Sequence, residues 1–189
     1  VVRLTTSGGG EGIGWSRLER EGAERLLGAR LGDLFRLPEG CTEPGRAVDL
    51  PLWDLVARCE GQPLFRLLGG RGSREVTVYD GSIYIDDIGL TDAQAVELYR
   101  DEVRVGREAG FRHFKVKVGR GAYWMPIAEG LARDALVIHT VREAAGPDAR
   151  VLIDANSANT VNTAIWLLRA CRAANVYWFE EPFIEDRPA

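Results

Sequence analysis

Two lysines, Lys115 and Lys117, stand two residues apart in residues 111–119, which read FRHFKVKVG. This segment is short, alternates apolar and polar residues and ends in glycine, a pattern that predicts a β-strand. Because side chains alternate across a strand, both lysines face away from Phe114 and Val116. A buried ammonium group is costly without a partner, so carboxylates or an anionic ligand should lie nearby. Alternatively, this is an edge strand, where lysines are common on the solvated face.

Polar residues also follow the next two predicted strands, residues 150–153 and 176–179. Asp154 and Asn156 come after the first of them, and Glu180 after the second. Carboxylate oxygens on neighbouring strands suit Mg²⁺ better than a softer metal. Each group also has a purely structural explanation, because the sequence DANSAN favours a turn and acidic residues favour a helix start.

The chain changes character near residues 69–73, which read GGRGS and predict a boundary. Before them we expect a hairpin and several helices. After them strands alternate with helices at the spacing of βα crossovers, so the predicted class is α/β with a parallel sheet. The predicted strands are 75–85, 111–119, 150–153 and 176–179, and the predicted helices are 91–109, 126–145 and 160–174. In the last helix, Ile165, Leu168 and Cys171 are expected to face inward.

Two architectures use such repeats. A dinucleotide-binding sheet should show a glycine fingerprint directly after its first strand. The candidates, Asp80-Gly81-Ser82 and Gly119-Arg120-Gly121, do not form one. A TIM-type barrel needs no fingerprint and places its working residues at the carboxyl ends of successive strands, around one mouth. The barrel is therefore the prediction, and a nucleotide-binding α/β domain is the weaker alternative.

Composition narrows the function classes. The 189 residues are 46% hydrophobic, enough for a sizeable core and one or two domains. A net charge of -4 argues against nucleic-acid binding, and no apolar run approaches the length of a membrane span. The three cysteines show neither metal-ligand spacing nor a disulfide framework, so a reducing, cytoplasmic location is expected.

A divalent ion beside an amine base suits removal of a weakly acidic proton next to a carboxylate. The lysine that acts as base must be neutral, and a second lysine two residues away, together with the metal, would lower its pKa. The residues thus predict Mg²⁺-assisted proton abstraction from a small-molecule carboxylate.

These segments resemble the enolase superfamily, in particular its mandelate racemase and muconate-lactonizing branch. AVDLPLWDLVARCEGQPLFRLLGG is similar to the end of the family's N-terminal capping domain, although Pro51 and Arg58-Cys59-Glu60 depart from its usual residues. FKVKVG resembles the family's Lys-x-Lys strand, VLIDANS its first metal-ligand strand, and WFEEP its second.

The resemblance implies a role for each candidate residue. Lys117 would be the base, and Lys115 would lower its pKa and contact the substrate carboxylate. Asp154 and Glu180 would be Mg²⁺ ligands, and Asn156 would line the site near the substrate. A lysine or histidine base working with Mg²⁺ is the known pattern of this superfamily.

The resemblance also implies a domain organisation. Residues 1–72 would be a partial α+β capping domain, and residues 73–189 the first half of the barrel, ending after its fourth strand. The third metal ligand and the second acid or base would then lie beyond Ala189, and the specificity loop before Val1. We expect a longer parent enzyme, a homo-oligomer at full length, and no turnover or tight metal binding by this segment alone.

Acid-sugar dehydration is the expected reaction. Racemisation or epimerisation and cycloisomerisation are alternatives that share the same half of the site, so these residues do not separate them. A non-catalytic remnant, acting at most as an assembly or binding module, is the alternative outside enzymes.

Overall fold

The computed structural model describes residues 1–73 and 75–184 and divides the chain into two compact units, Val1–Glu75 and Val76–Ala189. The division falls a few residues after the glycine-rich segment at residues 69–73. In the described residues, no helix is both long and apolar enough to cross a membrane.

The first unit combines short antiparallel strands with helices. Strand β1 pairs with β2 in the hairpin predicted from the sequence, and β3 pairs with β4. A 3₁₀ helix at Glu43–Val48 precedes the longest helix, α3. The elements are β1 (Val2–Thr5), β2 (Glu11–Gly14), α1 (Arg20–Leu26), α2 (Leu31–Leu34), β3 (Phe35–Arg36), β4 (Gly40–Cys41), α3 (Asp49–Cys59) and α4 (Leu64–Leu67).

Helix α3 packs closely on β2. A Cβ atom at Gly12 or Gly14 would overlap the α3 backbone at or beside Pro51, so only glycine permits this approach. Pro51 lies in the first turn of α3, where the missing N–H has no intrahelical partner to lose. Leu52 and Leu55 on the same helix are buried in the core of this unit.

The second unit alternates strands and helices, as predicted. Helix α5 begins with a capping box formed by Thr91 and Gln94, whereas the short helix α6 was not predicted. The elements are β5 (Asp80–Ile83), α5 (Asp92–Glu108), β6 (Phe114–Lys117), α6 (Arg120–Tyr123), α7 (Ile127–Ala145), β7 (Val151–Asp154), α8 (Val161–Ala170), a 3₁₀ helix (Arg172–Ala174) and β8 (Phe179–Glu180).

The four strands of the second unit form one parallel sheet in the order β5-β6-β7-β8. A doubly wound sheet would reverse its strand order at a switch point, whereas the strands of a barrel follow one another in sequence. Within the described residues the order has no reversal, which favours the barrel over the dinucleotide-binding alternative.

The core of the second unit lies between the sheet and helices α5 and α7. Phe114 and Val116 of β6 are fully buried against it, and each such side chain contributes about 1.5–3 kcal/mol. One prediction was partly wrong: α8 buries Leu167, and Ile165 and Leu168 are 42% and 43% exposed. Cys171 is buried as predicted, whereas Ala164 and Leu167, each one position earlier, are buried in place of Ile165 and Leu168.

Candidate active site

The polar residues at which the strands end form one row across the sheet. In the register of the sheet, Lys117 of β6 lies beside Asp154 of β7, and Asp154 lies beside Glu180 of β8. Because all three strands are parallel, this row sits at their common carboxyl edge. Lys115 lies two residues before Lys117 on the same face of β6 and binds the same Asp154 carboxylate. The sequence predicted these four residues as neighbours, and the structure brings them together.

Both lysines bind a single carboxylate. Lys115 Nζ lies 2.9 Å from Asp154 Oδ2 and 2.8 Å from Glu180 Oε1, and Lys117 Nζ lies 2.6 Å from the same Asp154 oxygen. Asp154 is 1% exposed, so its charge needs these cations. The sequence contains only two lysines, Lys115 and Lys117. A reagent that acylates lysine side chains therefore reports on this site alone.

Asn156 extends the cluster on the Lys117 side. Its Oδ1 accepts a hydrogen bond of 2.7 Å from Lys117 Nζ, and its Nδ2 donates one of 3.0 Å to Glu181 Oε2. Asn156, Ser157 and Glu181 all have positive φ angles, of 44°, 65° and 40°. Such conformations are uncommon outside glycine and concentrate at functional sites.

The charges of the cluster reinforce one another. Burial alone would lower the pKa of Lys115, but hydrogen bonds and charges from Glu180 and Asp154 outweigh it and raise that pKa above its usual range. Burial alone would raise the pKa of Asp154, yet the Lys117 and Lys115 ammonium groups lower it. Lys115 is therefore a fixed cation and Asp154 a fixed anion.

Asp154 and Glu180 suit a hard divalent cation. Their carboxylates converge on one point, since both bind the same Lys115 nitrogen, and carboxylate oxygens are the donors that Mg²⁺ prefers. Among residues 1–73 and 75–184, no three His, Cys, Asp or Glu side chains are grouped closely enough to hold a metal. Two protein ligands are compatible with Mg²⁺, which usually keeps several waters.

Sequence reasoning missed several residues around this site. Glu181 was visible in Glu-Glu-Pro, but nothing in the sequence marked it as the partner of Asn156. Arg120, which is 0% exposed, follows Lys117 by three residues and binds Asp87 and Asp134. An arginine beside two glycines carries no local sign of burial.

A family profile described as "Enolase C-terminal domain-like" matches residues 98–189. The chain is 38% identical to a galacturonate dehydratase from Geobacillus sp., solved with D-galacturonate and 5-keto-4-deoxy-D-galacturonate, with a TM-score of 0.84 over 97% of this chain and 49% of that one. This chain belongs to the enolase superfamily. Its fold is α/β, and the parallel sheet of its second unit is part of a TIM-type barrel.

Two further superfamily members place the chain in the mandelate racemase and muconate-lactonizing branch. A mandelate racemase/muconate lactonizing protein from Geobacillus sp., solved with magnesium and tartrate, is 38% identical with a TM-score of 0.84 over 97% of this chain and 50% of that one. The D-galactarolactone cycloisomerase of Agrobacterium fabrum is 35% identical over 141 residues, 74% of this chain and 34% of that protein. The chain thus spans about half the length of these two solved structures and about a third of the cycloisomerase.

Proposed function

We propose that this chain carries one half of the active site of a Mg²⁺-dependent acid-sugar dehydratase. The observation that carries the proposal is the in-register row of Lys117, Asp154 and Glu180, with Lys115 on the same carboxylate. The row combines an amine, a fixed cation and two carboxylates at the carboxyl edge of a parallel sheet, where barrel enzymes place their chemistry.

In this proposal Lys117 is the base that takes the proton next to the substrate carboxylate. Lys115, whose charge Asp154 and Glu180 hold in place, binds the substrate carboxylate and supplies the cation that the base needs beside it. Asn156, which touches Lys117, orients a substrate hydroxyl. Asp154 and Glu180 would hold Mg²⁺, which when bound stabilises the negative charge that develops on the carboxylate oxygens.

These roles account for each step of a dehydration. Lys117 removes the proton on the carbon next to the carboxylate, the neighbouring hydroxyl leaves as water with a proton from an acid, and the enol becomes a keto-deoxy acid. The galacturonate dehydratase at 38% identity, solved with a substrate and a keto-deoxy compound of this kind, supports this reaction.

A cycloisomerase is the second candidate, because the Agrobacterium relative at 35% identity is one. The two reactions share the proton removed and differ in what happens next: dehydration expels water, whereas cycloisomerisation leaves the mass of the substrate unchanged. Racemisation or epimerisation, the other alternative from the sequence, returns the proton to the same carbon.

The test uses the protein as its gene encodes it, with Mg²⁺, in D₂O and with a panel of aldonates, aldarates and uronates. Proton abstraction in D₂O places deuterium next to the carboxylate in recovered substrate or a stereoisomer, and on the deoxy carbon of a keto-deoxy product, where the enol is protonated. Mass spectrometry reports this deuterium and any loss of water. A keto-deoxy acid formed with loss of water supports the dehydratase. A product that differs in mass from the substrate only by deuterium supports the cycloisomerase or, if it is the stereoisomer, the racemase. No deuterium in any carboxylate would overturn the enzyme proposal and favour a binding or assembly module.

The proposal also covers the domain organisation of the protein. Residues 1–72 serve as part of a capping domain and residues 73–189 as part of the barrel of a larger, oligomeric enzyme. A divalent ion must compete with Lys115 for both Asp154 and Glu180. We therefore expect the 189-residue segment alone to bind Mg²⁺ weakly and to turn over no substrate; Mg²⁺-dependent deuterium exchange by that segment would contradict this.

A further inference from the structure

A cluster of buried charges lies just beyond the carboxyl end of β6. Arg120, Asp87 and Asp134 are each 0% exposed, and Tyr99 is 1% exposed. The cluster draws on the loop after β5, helix α5, the first residue of α6, and helix α7. None of these side chains has a role in the proposed chemistry, so their burial needs another explanation.

All three nitrogens of the Arg120 guanidinium donate hydrogen bonds within the cluster. Nε donates to Asp87 at 2.9 Å, Nη1 to Asp134 at 2.6 Å, and Nη2 to the Tyr99 hydroxyl at 2.6 Å. Nη2 also lies 2.8 Å from Asp87 Oδ1 in an ion pair. Nη1 also donates to the main-chain oxygen of Lys117, at 3.3 Å. Arg133 completes the charge balance by binding Asp87 at 2.9 Å. Two arginines thus offset two aspartates.

The same cluster fixes the turn that follows Lys117. Asp134 Oδ2 accepts the N–H of Gly119 at 2.9 Å, and the N–H of Val118 donates to the main-chain oxygen of Asp154 at 2.9 Å. Gly119 has a φ of 108°, and a Cβ there would overlap Ala158, two residues after Asn156. The main chain after Lys117 is thereby held against the loop that carries Asn156.

We propose that Arg120 is the residue that positions Lys117, an inference that rests on the proposed role of Lys117 as base. Anchored between Asp87 and Asp134, Arg120 holds the main chain at the end of β6, so that the Lys117 amine meets Asp154 and Asn156 in one geometry. A catalytic base needs such rigidity, since a displacement of about 1 Å can cost about 10²-fold in rate. Arg120 itself touches no substrate.

The test compares Arg120→Lys with Arg133→Lys. Both changes remove a guanidinium from Asp87 and keep a positive charge, but only Arg120 contacts Lys117. The readout is partial acylation by an N-hydroxysuccinimide ester at one pH, with mass spectrometry giving the ratio of acylated Lys117 to acylated Lys115. Because Lys115 is two residues away on the same strand, the ratio cancels general loosening of the fold.

We expect Arg120→Lys to raise this ratio at least threefold and Arg133→Lys to leave it unchanged. An unchanged ratio in Arg120→Lys, or an equal rise in both variants, would overturn the proposal. If Arg120→Lys does not fold, Asp134→Asn decides in its place, because it keeps an oxygen for Gly119 but loses the charge that anchors Arg120. A ratio unchanged in folded Asp134→Asn would equally overturn the proposal.

A kinetic readout separates this inference from the proposed function. In the protein as its gene encodes it, Arg120→Lys should lower kcat for deuterium exchange about 10²-fold and change KM little. The acylation ratio needs no turnover. If the ratio rises but the protein has no acid-sugar activity, the proposed function is overturned and the contact between Arg120 and Lys117 is retained. If the ratio rises but kcat is normal, Arg120 does not act as a positioning residue for catalysis.

Discussion

At the scale of single residues, the two lysines share one carboxylate but differ in their surroundings. Lys115 is paired with both Asp154 and Glu180, whereas Lys117 is paired with Asp154 and with the neutral Asn156. Because nearby carboxylates favour the charged form of an amine, Asp154 and Glu180 hold Lys115 as a cation. This asymmetry agrees with the proposed division between base and fixed cation.

Replacing each lysine by methionine tests that division. Lys117→Met should lower kcat for deuterium exchange by about 10²–10⁴-fold, the usual value of a general base, with substrate still bound. Lys115→Met should instead raise KM, because the substrate carboxylate loses its cation. Steady-state kinetics of both variants provide the measurement. Undiminished exchange in Lys117→Met would refute its role as base.

Glu181 should matter through Asn156. As a carboxylate it only accepts hydrogen bonds, so it holds the Asn156 amide with its nitrogen outward and its oxygen toward Lys117. Glu181→Gln can donate as well, and the amide is then free to turn. Loss of one hydrogen bond of about 0.5–1.5 kcal/mol should raise acylation of Lys117 relative to Lys115 about two- to tenfold. Glu129→Gln, on the exposed start of α7, is the control and should leave the ratio unchanged.

At the scale of elements, the turn between β6 and α6 decides how the loops after β6 and β7 meet. Gly119 starts α6 with a left-handed backbone and leaves no room for a Cβ against Ala158. Gly110, at the end of α5, has a similar φ of 98°, and no described atom lies within 4 Å of where its Cβ would be. The two glycines thus share a backbone requirement and differ in packing.

Gly110→Ala should lower the free energy of unfolding by about 1–2 kcal/mol, because alanine is strained in a left-handed backbone conformation. Gly119→Ala should cost more, because the added methyl group must also displace Ala158 and the loop bearing Asn156. Urea unfolding of the two variants measures the difference. Equal costs would show that the turn adapts without moving the neighbouring loop.

At the scale of the whole molecule, the buried charge cluster makes stability depend on pH. Burial alone would raise the pKa of Asp87, but Arg120, Arg133 and Tyr99 outweigh it and lower that pKa. A carboxyl group with a lowered pKa stabilises the fold fully above its ordinary value of about 3.9 and loses that contribution as the pH falls through the folded value.

Asp87→Asn should therefore destabilise the protein by about 3–5 kcal/mol at pH 7, because it leaves Arg120 and Arg133 with one fewer buried anion. The difference from the unchanged protein should begin to shrink as the pH falls below about 4, where Asp87 becomes protonated in the unfolded chain, and should be lost once the pH falls below its lowered pKa in the fold. Urea unfolding at several pH values tests this. Asp101→Asn, which removes an exposed ion pair with Arg104, should change stability by less than about 0.5 kcal/mol. A difference for Asp87→Asn that is constant from pH 7 to pH 3 would contradict the assignment.

Much of the second unit was predictable because its signals are local. Alternation in residues 111–119 placed Lys115 and Lys117 on one face, Thr91 and Gln94 marked the start of α5, and Asp154 and Glu180 followed apolar strands. The inward stripe of α8 was less predictable, because Ile165, Leu167 and Leu168 are all apolar and only packing against the sheet selects among them.

The sequence by itself determined which residue types end the strands and that consecutive parallel strands would bring them to one edge, since both follow from short-range periodicity and chain order. Only the tertiary structure decided the partners: that both lysines share Asp154 Oδ2, that Glu181 holds Asn156, and that Arg120 is buried between Asp87 and Asp134. These contacts join residues 14 to 39 positions apart. A charged side chain carries no local sign of which distant group will neutralise it, because that choice is made by packing.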